Sequence, residues 1–358
     1  MKSLISIFVL FLIATSCGQK PISLTINGTV SDASLNGQYV YLKNYSDNKN
    51  IDTAIVVDSK FTFKVTQDTA AILRISLQRL YANLILEDGV IDVALARPST
   101  ISGAPLNDSL VLVNNKIDVL TKEFTIAYKH LTETISDKET LSKEVSMLKA
   151  NVAASMRGIY KKSYDSNKEN MLGVFSLWSL LQSDITYEES KKMVSEIGCL
   201  AETFGPIVRI QAAKAAHAKT QIGNMFVDFN AANPDGSAAK LSDYVGKGSY
   251  VLVDFWASWC GPCKTEIPFI QDIYKNYKDK GLIVLGVNVW DKPTEFKSSV
   301  ENLGMTWNHI TAFESKDATE AYGINGVPHI ILFAPDGTIV ERGLRGDKMK
   351  AKVAEMYK

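Results

Sequence analysis

Apolar positions change their period twice along the chain, and those changes divide it. Over 24–103 they alternate with polar ones. Leu24, Ile26, Gly28 and Val30 fall on every second residue, as do Phe61, Phe63 and Val65, and then Ile91, Val93 and Leu95. Successive side chains of a strand point to opposite faces, so alternation predicts strands with one buried and one wet face, arranged as an antiparallel sandwich or small barrel. Asn36-Gly37 and Asp88-Gly89 precede two of these runs, as turn residues should. The stretch contains neither His nor Cys and offers no evident catalyst.

Near Asn107 the period lengthens. Leu106, Leu110, Val113, Ile117, Leu120, Phe124 and Leu131 step by three, four or seven, and Leu141, Val145, Leu148, Val152, Met156 and Ile159 repeat the pattern after a polar break. Each set lines one face of a helix. Such a stripe fits an intrachain core or a coiled-coil dimer, and the pattern permits both. Further helical runs cover 171–182 and start again near Tyr187; Gly205-Pro206 interrupts the last region and 212–220 leads into a polar linker. From about Gln221 the text becomes alternating α and β. An apolar strand over 249–257 is broken only by Asp254, and a helix over 260–280, a strand over 282–289 and a helix over 293–302 follow. Strands over 329–333 and 338–342, joined by Pro335-Asp336-Gly337, lead to a closing helix. The order βαβαββα with uninterrupted apolar strands requires a sheet covered on both faces.

At 358 residues the chain is long for one domain, and the pattern predicts a β-rich domain over 24–105, a helical region over 106–220 and an α/β domain over 221–358. Ahead of these, Met1-Lys2-Ser3 and the apolar run 4–14 have the size of a signal-peptide core, giving a leader over 1–16 and a tether over 17–23. Ile13-Ala14-Thr15-Ser16-Cys17 resembles the bacterial lipobox, whose cysteine is lipidated, with Ala14 where that motif usually has Leu. Ala14-x-Ser16 also reads as an ordinary cleavage site, which would leave Cys17 as a terminal thiol. Lys plus Arg and Asp plus Glu number 39 each, so global charge makes no case for nucleic acid or an acidic membrane surface.

The cysteines are Cys17, Cys199, Cys260 and Cys263. Cys199 sits among Met193, Ile197 and Leu200 and is expected as a small buried apolar side chain, with a third redox thiol as the alternative. Cys260 and Cys263 are separated by two residues at the predicted start of a helix. There the unpaired N–H groups and partial positive charge favour a thiolate, so Cys260 is expected to have a depressed pKa and to attack. Cys263, one turn deeper, is expected to attack second, and Pro262 falls in the first turn, where its missing N–H costs little. The rival use of a CxxC pair is zinc, but His130, His217, His309 and His329 show no ligand spacing and no second cysteine pair occurs. No metal and no cofactor beyond a redox-active Cys260–Cys263 disulfide is expected.

The run from Val251 through Trp259-Cys260-Gly261-Pro262-Cys263 to Lys264 resembles the active-site strand and helix of thioredoxin, and Lys264-Thr265-Glu266-Ile267-Pro268 is similar to the envelope TlpA/ResA-like branch. The resemblance covers roughly 221–358. It implies a thioredoxin fold and thiol–disulfide exchange. The β-rich stretch resembles, more weakly, a domain of unknown function found in bacterial envelope lipoproteins, which implies no activity. By position, Asp254 matches the buried acid beneath the disulfide, where burial without a partner should raise its pKa and suit it to take the Cys263 proton. Glu266 matches an acid of the envelope branch; the combination leaves open which acid handles the proton. Val327-Pro328 matches the cis-proline loop facing the CxxC. Trp259, Gly261, Pro262, Val327 and Pro328 are thereby implied in partner binding, while His329 is expected to face core or solvent.

These readings combine into an exported, lipid-tethered enzyme of the cell envelope. It would reduce disulfides in envelope proteins and draw electrons from a membrane donor. Two rivals stand beside it. A thiol-dependent peroxidase shares the fold but usually has Thr where this chain has Ala257. A binding or scaffold lipoprotein would carry the thioredoxin-like domain only as an accessory.

Overall fold

The computed structural model describes residues 20–313 and 315–358. The leader 1–16 and the candidate lipidation site Cys17 lie outside the described residues. Contacts divide the chain into two units, one ending at Val208 and the other starting at Arg209.

The first unit opens with strands β1 (Ile22–Val30), β2 (Tyr39–Asn44), β3 (Asn50–Ile55), β4 (Lys60–Gln67), β5 (Ile72–Leu77), β6 (Leu80–Ile85), β7 (Gly89–Leu95) and β8 (Thr100–Ser102). They form two sheets, ordered β4-β1-β7-β8 and β3-β2-β5-β6. Both contribute to one core, in which Leu24, Ile26, Phe63, Val40, Leu42 and Leu84 are buried. The alternating residues of β1 and β4 are the ones turned inward, because a pleated strand offers every second side chain to one face. The sandwich is therefore the outcome, with two differences from the pattern. The strand begins at Ile22, inside the stretch expected as tether, and β1 pairs with β7 in parallel. β2, β3, β5 and β6, which form the other sheet, are threaded between those two strands, so β7 returns in the direction of β1.

Helices α1 (Pro105–Thr134), α2 (Lys138–Ser166), α3 (Met171–Leu181), α4 (Tyr187–Ile197), α5 (Cys199–Glu202) and α6 (Gly205–Lys219) follow. α1 and α2 pack against each other, with their stripe residues other than Leu110 only half-buried. Asp137 caps α2 by accepting the Thr140 N–H at 2.8 Å. Two expectations fail here. Gly205-Pro206 begins α6 instead of interrupting a helix, because proline is tolerated where its N–H would be unpaired anyway. Cys199 is exposed at the start of α5, where Gly198 at φ 68° turns the chain out of the preceding helix. No free thiol occurs among the described cysteines.

The second unit takes the latter part of α6, ahead of the expected start at 221. The reason is a fastening: Arg342 donates to the Thr220 carbonyl at 2.7 Å and to its hydroxyl at 2.8 Å. The unit continues with β9 (Asn230–Ala232), β10 (Ala238–Lys240), β11 (Val251–Trp256), α7 (Gly261–Tyr277), β12 (Ile283–Val289), α8 (Pro293–Asn302), β13 (Asn308–Ala312), α9 (Asp317–Tyr322), β14 (His329–Phe333), β15 (Ile339–Arg342) and α10 (Gly346–Met356). The sheet order is β10-β9-β13-β12-β11-β14-β15, with β11, β12 and β13 parallel. It is the thioredoxin fold, with a short hairpin, β9–β10, added at one edge. The pattern misses that hairpin, β13 and α9. β13 reads Asn-His-Ile-Thr-Ala, too short and too polar to stand out although its last four residues are buried.

The central strand β11 is buried at every residue. Val251, Val253 and Phe255 enter the core on one face; Leu252 and Trp256 enter the other, with Ile267 and Ile270 of α7 and Met349 and Val353 of α10. By alternation Asp254 belongs to this second face, beneath α7. Its neighbour in register on β12 is Gly286, and the next on β13 is His309. A Cβ on Gly286 would lie 2.3 Å from His309 Nδ1, so the glycine makes room for the imidazole. Burial pushes the His309 pKa down to about 4, leaving the ring neutral at pH 7. Among the described residues, no helix is long and apolar enough to cross a membrane.

Candidate active site

Cys260 is the N-cap of α7 and Cys263 its third residue. The two are joined in a disulfide, and the Cys263 N–H points at Cys260 Sγ at 3.1 Å. The positive end of a helix favours negative charge, so the sulfur that caps the Cys263 N–H is the one best placed to become a thiolate. Cys260 is 3% exposed and Cys263 1%. Access is therefore confined to the Cys260 side, where Trp259, Gly261 and Pro262 are exposed around the sulfur.

Opposite lies the segment before β14. The Val327–Pro328 peptide is cis, and the Val327 carbonyl oxygen stands 3.5 Å from Cys260 Sγ. Trp259, 62% exposed, donates its indole N–H to the Trp290 carbonyl at 2.9 Å, which leaves its ring faces open beside the sulfur. His329 is half-buried, and its Nε2 lies 3.2 Å from Arg342. Burial, together with Arg342, Arg345 and His217, pushes its pKa down to about 4, so it stays a neutral acceptor.

Two acids sit behind the disulfide. Asp254 is 1% exposed, and neither carboxylate oxygen has a hydrogen-bond partner. Burial pushes its pKa up to about 7, with Glu266 adding to the rise and Arg345 opposing it. An acid poised there exchanges a proton at neutral pH. Glu266, which as a helix residue could have faced solvent, is buried and accepts the Gly346 N–H at 2.7 Å. Of the two, Asp254 is the one with neither oxygen engaged. Among the described residues, no three His, Cys, Asp or Glu side chains gather as metal ligands.

Residues 222–342 match the AhpC/TSA family, and residues 24–110 match the Domain of unknown function (DUF4369). The thiol-disulfide oxidoreductase ResA of Bacillus thuringiensis subsp. konkukian is 26% identical over 140 residues, covering 39% of this chain and 79% of the relative. ResA of Geobacillus kaustophilus is 31% identical over 118 residues, covering 33% and 66%. The C-terminal unit belongs to the thioredoxin-like thiol–disulfide oxidoreductases. Among solved structures, the thioredoxin domain of a thiol-disulfide oxidoreductase from Bacteroides vulgatus is 34% identical, with 38% of this chain and 99% of that chain covered at a TM-score of 0.36. The match to the domain of unknown function brings no activity with it.

The candidate site contains two further groups that the sequence reading passed over. Asp291, just past β12, accepts the Ser258 N–H at 2.6 Å, the Ser258 hydroxyl at 2.7 Å, the Asn288 amide at 3.0 Å and the Lys292 N–H at 2.9 Å. Burial alone would raise its pKa, but these hydrogen bonds outweigh it and hold the carboxyl below its ordinary value. Asp291 thus pins the loop that carries Trp259 and Cys260. An acid beyond the end of an α/β strand is a recognisable signal, but only once that strand is known to neighbour β11. Asp291→Ala strands the donors of Ser258 and Asn288, and is expected to cost about 2–4 kcal/mol of stability and to loosen the Trp259 loop. Denaturant melts and amide exchange at 258–260 would show it; unchanged protection would mean the loop holds itself. The second group is Arg345, which donates to the Pro328 carbonyl.

Proposed function

We propose that this oxidoreductase reduces disulfides of protein partners in the cell envelope through the Cys260/Cys263 dithiol. The observation that carries the reading is the sulfur of Cys260, capping α7 and facing the cis Val327–Pro328 segment while an unpartnered Asp254 lies behind it. In the reduced chain the Cys260 thiolate attacks a partner disulfide, forms a mixed disulfide and releases the first partner sulfur as a thiolate. Cys263 then attacks Cys260 Sγ, passes its proton to Asp254 and frees the second partner sulfur, so two electrons move from the chain to the partner. Trp259, Gly261 and Pro262 supply contact area, and Val327, held beside Cys260 by the buried Pro328, offers backbone groups to an extended partner segment. A lipid on Cys17 would hold the enzyme at a membrane, where a membrane donor would return the dithiol to its reduced form.

Cys263→Ser keeps the first attack and removes the second, so it is expected to accumulate mixed disulfides on Cys260 in an envelope extract, releasable by dithiothreitol. If nothing is captured while the purified variant still reacts with a small disulfide, protein partners are the wrong substrate class. The Gly-Pro pair between the cysteines supports the reducing direction, which predicts a potential nearer the thioredoxin value of about −270 mV than the roughly −120 mV of strong oxidants. Peroxide consumption faster than insulin reduction would favour the thiol-peroxidase rival instead.

A further inference from the structure

Arg345 is the last residue before α10, and three consecutive residues there tie the partner side of the site to its acids. The Leu344 N–H donates to the Ile330 carbonyl at 3.2 Å, two residues beyond the cis-proline. Arg345 donates through Nη2 to the Pro328 carbonyl and through Nη1 to the Leu344 carbonyl at 2.6 Å. The Gly346 N–H donates to Glu266. The guanidinium also acts on Asp254, favouring its ionised form against burial and against Glu266.

The surroundings of Asp254 make that charge count. α7 faces it with Cys260, Cys263 and Glu266, and the segment before α10 faces it with Arg345. Its register neighbours are Gly286 on β12, which has no side chain, and Ile330 on β14, which is apolar. His309, beyond Gly286, is buried and neutral. A carboxylate in such a setting depends on a cation that acts on it, since low local polarity strengthens charge interactions and removes the solvent alternative.

We propose that Arg345 is a positioning residue of the redox site: it holds the Pro328 carbonyl so that the partner-docking segment stays opposite Cys260, and it keeps a positive charge over Asp254 as that acid takes the Cys263 proton. This rests on the reading of the site as a protein-disulfide reductase. In the resolving step the Cys260–Cys263 bond forms, the bond from Cys260 to the partner breaks, and the partner leaves as a thiolate. The proton of Cys263 ends on Asp254, which must enter the step ionised. A planar fork with two donors aimed at two carbonyls is a task for Arg, whereas Lys supplies the charge without the fork.

The test uses the full chain, pre-reduced, with insulin as the disulfide substrate between pH 5 and 9. Arg345→Gln is expected to lower kcat/KM at pH 7 about tenfold, raise KM, and move the acid limb of the profile to higher pH. Arg345→Lys is expected to restore the limb but not KM. A variant that melts earlier yet keeps wild-type KM and the same limb shows a purely structural arginine and overturns the proposal. Wild-type chain that fails to reduce insulin counts against the reductase reading alone. In that event Asp254 is titrated directly by carboxyl NMR: an upward move in Arg345→Gln supports the charge coupling, and an unmoved titration overturns it.

Discussion

Cys260→Ser is expected to lower insulin-disulfide reduction by more than about a thousandfold, because a serine hydroxyl does not ionise near neutral pH and cannot replace a thiolate. The substitution isolates chemistry from folding. Serine is among the best N-cap residues, and its oxygen can accept the Cys263 N–H that now points at Cys260 Sγ. α7 should therefore start where it does, and the variant should melt close to the reduced wild-type chain, which also lacks the Cys260–Cys263 bond. Turnover with insulin and a melt of the two reduced proteins are the measurements. A variant retaining a tenth of the activity would show that another group attacks, and would remove Cys260 from the first step.

Asp254→Asn should have two effects of opposite sign. It removes the proton acceptor, so resolution of a preformed mixed disulfide is expected to slow by roughly a hundredfold at pH 7 while the first attack by Cys260 is spared. Stability should move the other way. The folded chain holds a proton on Asp254 up to about pH 7, whereas the ordinary carboxyl value expected in the unfolded chain is 3.8. Between those limits the folded state binds more protons, so this contribution to stability is complete below pH 3.8 and is lost as pH rises through 7. At pH 8 the wild type carries a buried, unpartnered charge that the amide lacks, and the variant is expected to be more stable by up to about 4 kcal/mol. Denaturant melts at pH 5 and pH 8 decide it: a stability difference that stays constant between them would mean Asp254 is already ionised in the folded chain at pH 5.

Much of this site could be read along the chain because its parts are local. A CxxC pair at a helix start is set by five adjacent residues, and the backbone of one helical turn is enough to put Cys260 on the cap and Cys263 inside. Asp254 announced itself as a lone acid in a run of apolar residues, a placement that burial makes costly unless it is used. The alternation in β1 and β4 likewise reveals which face is buried, and the stripes of α1 and α2 mark their more covered faces, since period alone decides that. What period does not reveal is the partner of each face. α1 and α2 packed along each other with their stripes half-buried, and β1 paired in parallel with β7, because pairing depends on how distant segments meet.

The remaining members of the site come from such meetings. Along the chain Glu266 fitted a site acid and a solvated helix residue equally until α10 brought the Gly346 N–H to it, and Asp291 gained its hold on Ser258 only because β12 lies beside β11. Gly286 and His309 share one face of three parallel strands, a relation invisible in a strand as short and polar as β13. Arg345 reaches the Pro328 carbonyl from 17 residues away. By itself, then, the sequence determined the two thiols, their helix and the acid behind them, for which neighbours along one turn or one strand suffice. The tertiary structure decided what surrounds that acid and what holds the opposite segment, because dielectric, charge and hydrogen-bond partners at a buried group are properties of the packed fold and of no single stretch of chain.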